Sequence, residues 1–271
     1  MPELPEVETT RRGIEPHILN LRIERIEIRE SRLRWPVPDC LIRDLAASEF
    51  RAVERRGKYL LLRAESGTLI IHLGMSGSLR LVDALSPVRK HDHVDIVFAN
   101  GRCLRFHDPR KFGCILWTRE DPGQHVLLAG LGPEPLSEEF NGSYLYALAR
   151  NRKTAIKSFL MDSRVVVGVG NIYANESLFL AGIDPRRSAG RVSLSRMKHL
   201  CDAVASVLKR SIQQGGTTLR DFVNESGQPG YFQQTLNVYD KSGQSCPRCG
   251  APIQHRRIAQ RSAFFCLNCQ R

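Results

Sequence analysis

The chain has 271 residues, 42% of them hydrophobic, enough for a core in each of about two domains. It holds no apolar run near the ~20 residues a membrane span needs, and nothing in it is collagen-like or mucin-like. Lys and Arg number 40 against 28 Asp and Glu, a formal net charge of +12. That excess points to a polyanionic partner, because each basic group that meets a phosphate releases condensed counterions; a basic surface without such a partner is the alternative.

The first segment, residues 3–19, reads as a helix, with prolines and acids crowded into its first turn. Those acids stand where a secretion signal would carry basic and apolar stretches, so a soluble, cytoplasmic protein is expected. From Ile23 the apolar period changes to two. Strand-like runs follow at 23–28, 59–63, 68–73, 78–82, 93–99, 102–107 and 113–118. Asn100-Gly101 between two of them is a strong hairpin signal. Many short strands with few helices between them predict an antiparallel sandwich or barrel over residues 20–120.

Gly130 to Pro135 reads as a linker, and beyond it the pattern turns helical. Ser137 is placed to cap a helix running through Arg150. Met197, Leu200, Cys201, Val204, Val207 and Leu208 recur at three and four residues, a core-facing stripe opened by Ser193 and stopped by Gly215-Gly216. Val165 to Gly170 looks like the start of a dinucleotide fingerprint, but the third glycine is replaced by Tyr173 and no βαβ repeat surrounds it. A helix starting near Asn171 fits better, its glycine-rich approach serving a phosphate or simply a tight turn. Asn224 to Tyr231 reads as a mobile loop.

Charge and cysteines are both uneven. Residues 1–133 carry 21 basic and 18 acidic side chains, residues 134–271 carry 19 and 10, and residues 241–271 hold six basic side chains and no acid. Cys40, Cys103, Cys114 and Cys201 sit among apolar neighbours and read as small buried hydrophobes. Cys246, Cys249, Cys266 and Cys269 form C-x2-C-x16-C-x2-C, the spacing of a four-cysteine site for one structural Zn2+ with a short hairpin between its knuckles. Two disulfides or a redox motif are the alternatives.

Several motifs occur in order: P-E-L-P-E (Pro2 to Glu6), G-K-Y-L-L (57–61), H-L-G-M-S-G (72–77), K-H-D-H-V-D (90–95), D-P-R-K-F-G (108–113), G-V-G-N-I-Y (168–173) and the terminal cysteine module. Together they resemble bacterial formamidopyrimidine-DNA glycosylase across essentially the whole chain. The resemblance implies an α+β multidomain architecture: a leading helix and N-terminal antiparallel β-sandwich (1–130), a linker (131–136), a helical domain with a helix–two-turn–helix motif around Gly168 to Gly182 (137–236), and a zinc finger (237–271). It implies base-excision repair of oxidised purines in duplex DNA, by a nucleoid-associated monomer that removes the base and then cleaves the strand by β,δ-elimination.

The resemblance also assigns roles. The nucleophile is the amine of Pro2, freed by removal of Met1. An α-amine has a pKa near ~8 against lysine's ~10.4, so more of it is unprotonated at neutral pH. A secondary amine can still form an iminium with C1′. Glu3 is the proton shuttle, oriented by Glu6. Lys58 is the proton donor in β-elimination and a phosphate contact. Arg261 sits at the scissile phosphate; its family role is δ-elimination, and as an always-charged group it suits a phosphate clamp better than a literal acid. A base cannot react inside the stack and must be flipped out; Met75, Arg110 and Phe112 would fill the vacated space. His91 and Arg152 match family DNA contacts, with His72, Asn171 and Tyr239 as further backbone contacts. The Asn224–Tyr231 segment would close over the damaged base. Two other readings carry different tests: an endonuclease VIII-like enzyme for oxidised pyrimidines, disfavoured by Leu4 and by the Met75, Arg110 and Phe112 set, and a non-catalytic zinc-ribbon DNA binder.

Overall fold

The structure is a computed structural model, and it describes residues 2–216 and 236–271. The segment expected to close over the base, Asn224 to Tyr231, lies outside the described residues. Two compact units emerge, one of residues 2–129 with 212–216, the other of residues 130–211 with 236–271.

The first unit opens with α1 (Leu4–Ile18), whose buried Val7, Ile14 and Ile18 join the core. Eight strands follow: β1 (Ile23–Ile28), β2 (Phe50–Arg56), β3 (Tyr59–Ala64), β4 (Gly67–His72), β5 (Ser78–Asp83), β6 (Asp92–Phe98), β7 (Arg102–His107) and β8 (Cys114–Thr118), with a short helix α2 (Cys40–Leu45) before β2. They form two four-stranded antiparallel sheets, ordered β1-β6-β7-β5 and β2-β3-β4-β8. Alternate residues point into one shared core: Leu60 and Leu62 from β3, Leu69 and Ile71 from β4, Val94, Ile96 and Phe98 from β6. That is the period-two pattern of a sandwich core, and the intervening Leu61, Ile70 and Val97, on the opposite faces, are buried as well. Phe50 and Phe98 meet edge-to-face between the two sheets, 6.3 Å apart. Each such large apolar side chain contributes roughly 1.5–3 kcal/mol by leaving water.

The second unit holds α3 (Gly142–Ala149), α4 (Ile156–Leu160), α5 (Asn171–Leu180), most of α6 (Leu194–Gln213), and the hairpin β9 (Gln254–Ile258) with β10 (Arg261–Phe265). Every member of the stripe from Met197 to Leu208 is buried. The expected cap at Ser137 is corrected. Its hydroxyl donates to the Glu134 carbonyl in a turn, and the helix starts at Gly142, capped by Asn141, whose Oδ1 accepts the Tyr144 N–H at 3.0 Å. Asn ranks with the best capping residues, and here it stands three positions before an open N–H. Cys40 is also corrected: it is half-buried, whereas Cys103, Cys114 and Cys201 are buried as expected. Among the described residues no helix is long and apolar enough to cross a membrane.

Candidate active site and nucleic-acid interface

The residues singled out above fall into two sets, one in each unit. In the first, Pro2 and Glu3 precede α1 and both are buried. Glu6, fully buried, accepts the backbone N–H of Glu3 at 2.8 Å. This is half of a capping box, and it fixes the main chain beside Pro2. Lys58 is the second residue of the two-residue turn from β2 to β3. Gly57 before it has φ +57°, a conformation such hairpin turns demand and a side chain resists.

His72, at the end of β4, lies opposite Tyr59, with the rings 4.7 Å apart. Its Nδ1 accepts the N–H of Gly74 at 3.0 Å, which leaves the proton on Nε2. Desolvation, then the charges of Lys58 and Arg34, push its pKa down to about 4. His72 is therefore a neutral donor at physiological pH.

Met75, Arg110 and Phe112 sit on two neighbouring turns. Phe112 is 42% exposed, and the Arg110 guanidinium lies over its ring, 4.8 Å from the centroid. The two turns nearly touch. A Cβ on Gly74 would meet the Gly113 nitrogen at 2.4 Å, so only glycine allows the approach. Between them lies Asp108, fully buried. Its Oδ1 accepts the Ser76 hydroxyl at 3.0 Å and the Arg110 N–H at 3.2 Å, and its Oδ2 accepts the Gly113 N–H at 2.8 Å. His93 Nε2 bonds the Asp108 carbonyl at 2.8 Å. One carboxylate thus ties the Met75 turn to the turn bearing Arg110 and Phe112. His91 has φ +75° and faces the rings of His93 and His107, each 6.1 Å away.

In the second unit, Asn171 opens α5 and Tyr239 lies in the strand-free segment after 236. Arg152 is exposed on a turn, and Arg261 starts β10 just past the Ala259-Gln260 turn, both of whose residues have positive φ. Three buried polar side chains hold this set in place. Lys157, 1% exposed, donates to Asn171 Oδ1 at 2.6 Å and to the Ser262 carbonyl at 2.8 Å. Asn175 accepts the Phe264 N–H at 2.8 Å. Glu176 accepts the N–H groups of Asn237, Val238 and Tyr239 at 2.8 to 2.9 Å. The Tyr239 ring packs edge-on to Phe264, 5.3 Å away.

The Sγ atoms of Cys246, Cys249, Cys266 and Cys269 lie within 4.8 Å of one another, with 3.9 Å between Cys246 and Cys269 and 3.5 Å between Cys249 and Cys266. Four thiolates around one tetrahedral zinc stand about 3.8 Å apart, given Zn–S bonds of about 2.3 Å. These Sγ separations of 3.5 and 3.9 Å are far beyond an S–S bond of about 2.05 Å, so the disulfide alternative fails. The group is placed to hold one metal ion with every ligand supplied by protein. Desolvation and then the neighbouring thiols push Cys269 up to about 12, whereas the Ala251 N–H leads in drawing Cys249 down to about 7. Crowded thiols cannot all ionise without a cation, and a bound ion supplies it.

Nothing in the sequence around Asp108, Lys157, Asn175 and Glu176 marks them for these roles. A carboxylate or ammonium inside a chemistry-bearing motif is a signal of sorts, but its burial is not visible in the sequence.

Comparison with known proteins is consistent across the chain. Residues 1–115 match the formamidopyrimidine-DNA glycosylase N-terminal domain, residues 131–223 the formamidopyrimidine-DNA glycosylase H2TH domain, and residues 243–271 the zinc finger found in FPG and IleRS. The formamidopyrimidine-DNA glycosylase of Methylococcus capsulatus is 62% identical over 100% of both chains. The structure of the Lactococcus lactis Fpg with an abasic-site DNA superposes with a TM-score of 0.92 at 35% identity, covering 99% of each chain. The Lactococcus lactis FPG bound to a FAPY-dG containing DNA gives 0.91 at 35% identity, over 99% of this chain and 100% of that one.

Proposed function

Since the chain belongs to the formamidopyrimidine-DNA glycosylase family, we propose that it excises oxidised purines, 8-oxoguanine and formamidopyrimidines, from duplex DNA and then cleaves the strand. It is a DNA glycosylase of base-excision repair, and its family implies the lyase step. The observation that carries the reading is identity of 62% along the full length, with P-E-L-P-E at the head of the chain.

In this reading the Pro2 amine, free once Met1 is removed, attacks C1′ of the flipped nucleotide as the glycosidic bond breaks and the base leaves with a proton. Opening of the C1′–O4′ bond, with a proton passed to O4′ by Glu3, then turns this C1′ adduct into an iminium. Loss of a C2′ proton then expels the 3′ phosphate, and a second elimination expels the 5′ phosphate. Glu3 handles protons at the deoxyribose, and its backbone, held by Glu6, supports this work. Lys58 and Arg261 neutralise phosphate charge as the C–O bonds break. Met75, Arg110 and Phe112 occupy the gap left by the flipped base, the first two set at a fixed spacing by Asp108. His72 offers its Nε2–H to a phosphate as a neutral donor, beside the cationic contacts of Arg152 and His91 and the polar ones of Asn171 and Tyr239. Cys246, Cys249, Cys266 and Cys269 would hold one structural zinc ion, which would fix the hairpin carrying Arg261 rather than take part in bond breaking.

Borohydride should trap the protein covalently on lesion-bearing duplex, and mass spectrometry should place the adduct on a peptide beginning at Pro2. Active, correctly processed protein that gives no adduct would falsify the assignment of the nucleophile.

A further inference from the structure

Just beyond α5 a hollow of about 480 Å3 is lined by Asp184, Arg186, Arg187, Ser188, Arg191 and Arg271. Four arginines share this lining with one acidic side chain, that of Asp184. That carboxylate is taken by Arg186, at 2.6 Å, and the Arg186 guanidinium also lies over Phe265, 4.6 Å from the ring centroid. Arg187 and Arg191 form no ion pair with any described residue; the one contact between them runs from Arg187 Nη1 to the Arg191 carbonyl, 3.5 Å. Behind the hollow, half-buried Arg196 donates to the carbonyls of Gly182 and Arg271 at 2.8 and 2.6 Å. Desolvation, then repulsion from Arg187, lowers its pKa.

The platform under these side chains is rigid. The Ile156 N–H donates to the Arg187 carbonyl at 2.7 Å, Ala189 N–H to Thr154 at 2.9 Å, and Gly190 N–H to Arg152 at 3.0 Å. On the other side Asp184 N–H donates to Arg271, and Arg271 N–H to Gly182. Gathering like charges on a fixed frame is unfavourable unless an anion compensates them, and guanidinium forks match phosphate oxygens in pairs. The lining has no apolar side chain, so it offers nothing to anchor a peptide side chain or stack a base; peptide interfaces draw most of their energy from buried aromatic and aliphatic anchors.

We propose that this hollow is a second DNA-backbone site, in which Arg187 and Arg191 hold a phosphate of duplex DNA apart from the lesion contacts. The inference rests on the DNA-repair reading above. It differs from that reading in its residues: neither Arg187 nor Arg191 is among the contacts named there, and Arg152, which is, meets this segment through its backbone, its carbonyl accepting the Gly190 N–H at 3.0 Å. A phosphate there raises affinity for undamaged DNA and contributes nothing to bond breaking.

The test uses the full-length protein and the double variant Arg187→Gln/Arg191→Gln. Binding to a long undamaged duplex is measured against salt concentration. Two lost phosphate contacts should lower the slope of log K against log salt by about 1 to 2 and weaken binding about tenfold at low salt. Single-turnover excision from a saturated lesion duplex should be unchanged. Arg187→Lys/Arg191→Lys keeps the charge and should keep most of the slope, which separates lost phosphate contact from misfolding. An unchanged slope in the Gln variant overturns the proposal. So does a loss confined to binding of poly-glutamate or of dGMP, which would assign the hollow to an acidic protein segment or a free nucleotide. Wild-type excision on the same DNA reports separately on the underlying glycosylase reading.

Discussion

The two units hold their proposed functional residues by different means. In the first, the turns hang from strands of a sandwich whose core is continuous, and a single buried acceptor, Asp108, completes the arrangement. In the second, the hairpin bearing Arg261 has a small core, chiefly Phe179, Val238, Ile253, Phe264 and two of the cysteines. It leans instead on a metal and on polar side chains from the helices, Lys157, Asn175 and Glu176. A module this short cannot bury enough apolar surface to order itself, so ligation and charged hydrogen bonds replace packing. The difference teaches that the unit proposed to break bonds is rigid by its hydrophobic core, while the module proposed to grip the backbone is rigid only with its ion.

Removing zinc should break this comparison most visibly. Cys266→Ser, or a strong chelator, should disorder the 246–269 hairpin, because structural zinc contributes about 10–16 kcal/mol to folding of such modules. DNA binding should fall with it, while the sandwich keeps its far-ultraviolet circular dichroism and its cooperative melt. A sandwich that melts together with the hairpin would show the units to be less independent than their cores imply.

Glu3→Gln should do the reverse, lowering single-turnover excision by about 10²- to 10⁴-fold, the usual worth of a positioned proton-transfer group, with lesion-DNA affinity retained in a gel-shift titration. If affinity collapses too, Glu3 is holding structure rather than moving protons.

The buried acceptors sharpen the contrast. Asp108→Asn keeps one oxygen but puts an N–H where the Gly113 or Ser76 donor now points, and should cost about 1–3 kcal/mol. Excision should fall with it, because the Met75 and Arg110 turns lose their common anchor. Glu176→Gln loses the same kind of contact to Asn237, Val238 and Tyr239, and should weaken DNA binding more than it changes the rate at saturating enzyme. Thermal melts paired with the two kinetic readouts distinguish the cases.

The effect confined to the narrowest conditions, visible only in acid, concerns His72. Its folded pKa is lowered to about 4 from an ordinary 6.5, so between those values the unfolded chain binds the extra proton and the fold loses stability as pH falls. His72→Gln should flatten that part of the stability curve, measured by urea melts from pH 7 to pH 4. A curve unchanged by the substitution would mean that His72 already titrates normally in the fold.

Much of the architecture was legible locally. Apolar alternation marked seven of the eight strands, and the helical stripe of α6 emerged with both its ends. β2 escaped because Phe50–Arg56 is rich in charge and a register shift between Phe50 and Ala52 breaks its alternation. α2 and α4 are too short, at six and five residues, to show a period. Ser137 and Asn141, four residues apart, both look like caps for α3, and only the turn at Glu134 decides between them.

By itself the sequence determined what depends on neighbours along the chain: the strand and helix periods, the cysteine spacing that defines a metal site, and the ordered motifs that mark the family. Tertiary structure alone decided which charged groups are buried and what they hold. Asp108 reaches back 32 residues to Ser76, Glu176 reaches 62 residues on to Val238, and Lys157 reaches 105 residues on to Ser262. The physical reason is the range of the interaction. Periodicity and ligand spacing are written within a few turns of chain, whereas desolvation and long-range hydrogen bonding exist only once distant segments have closed around the group.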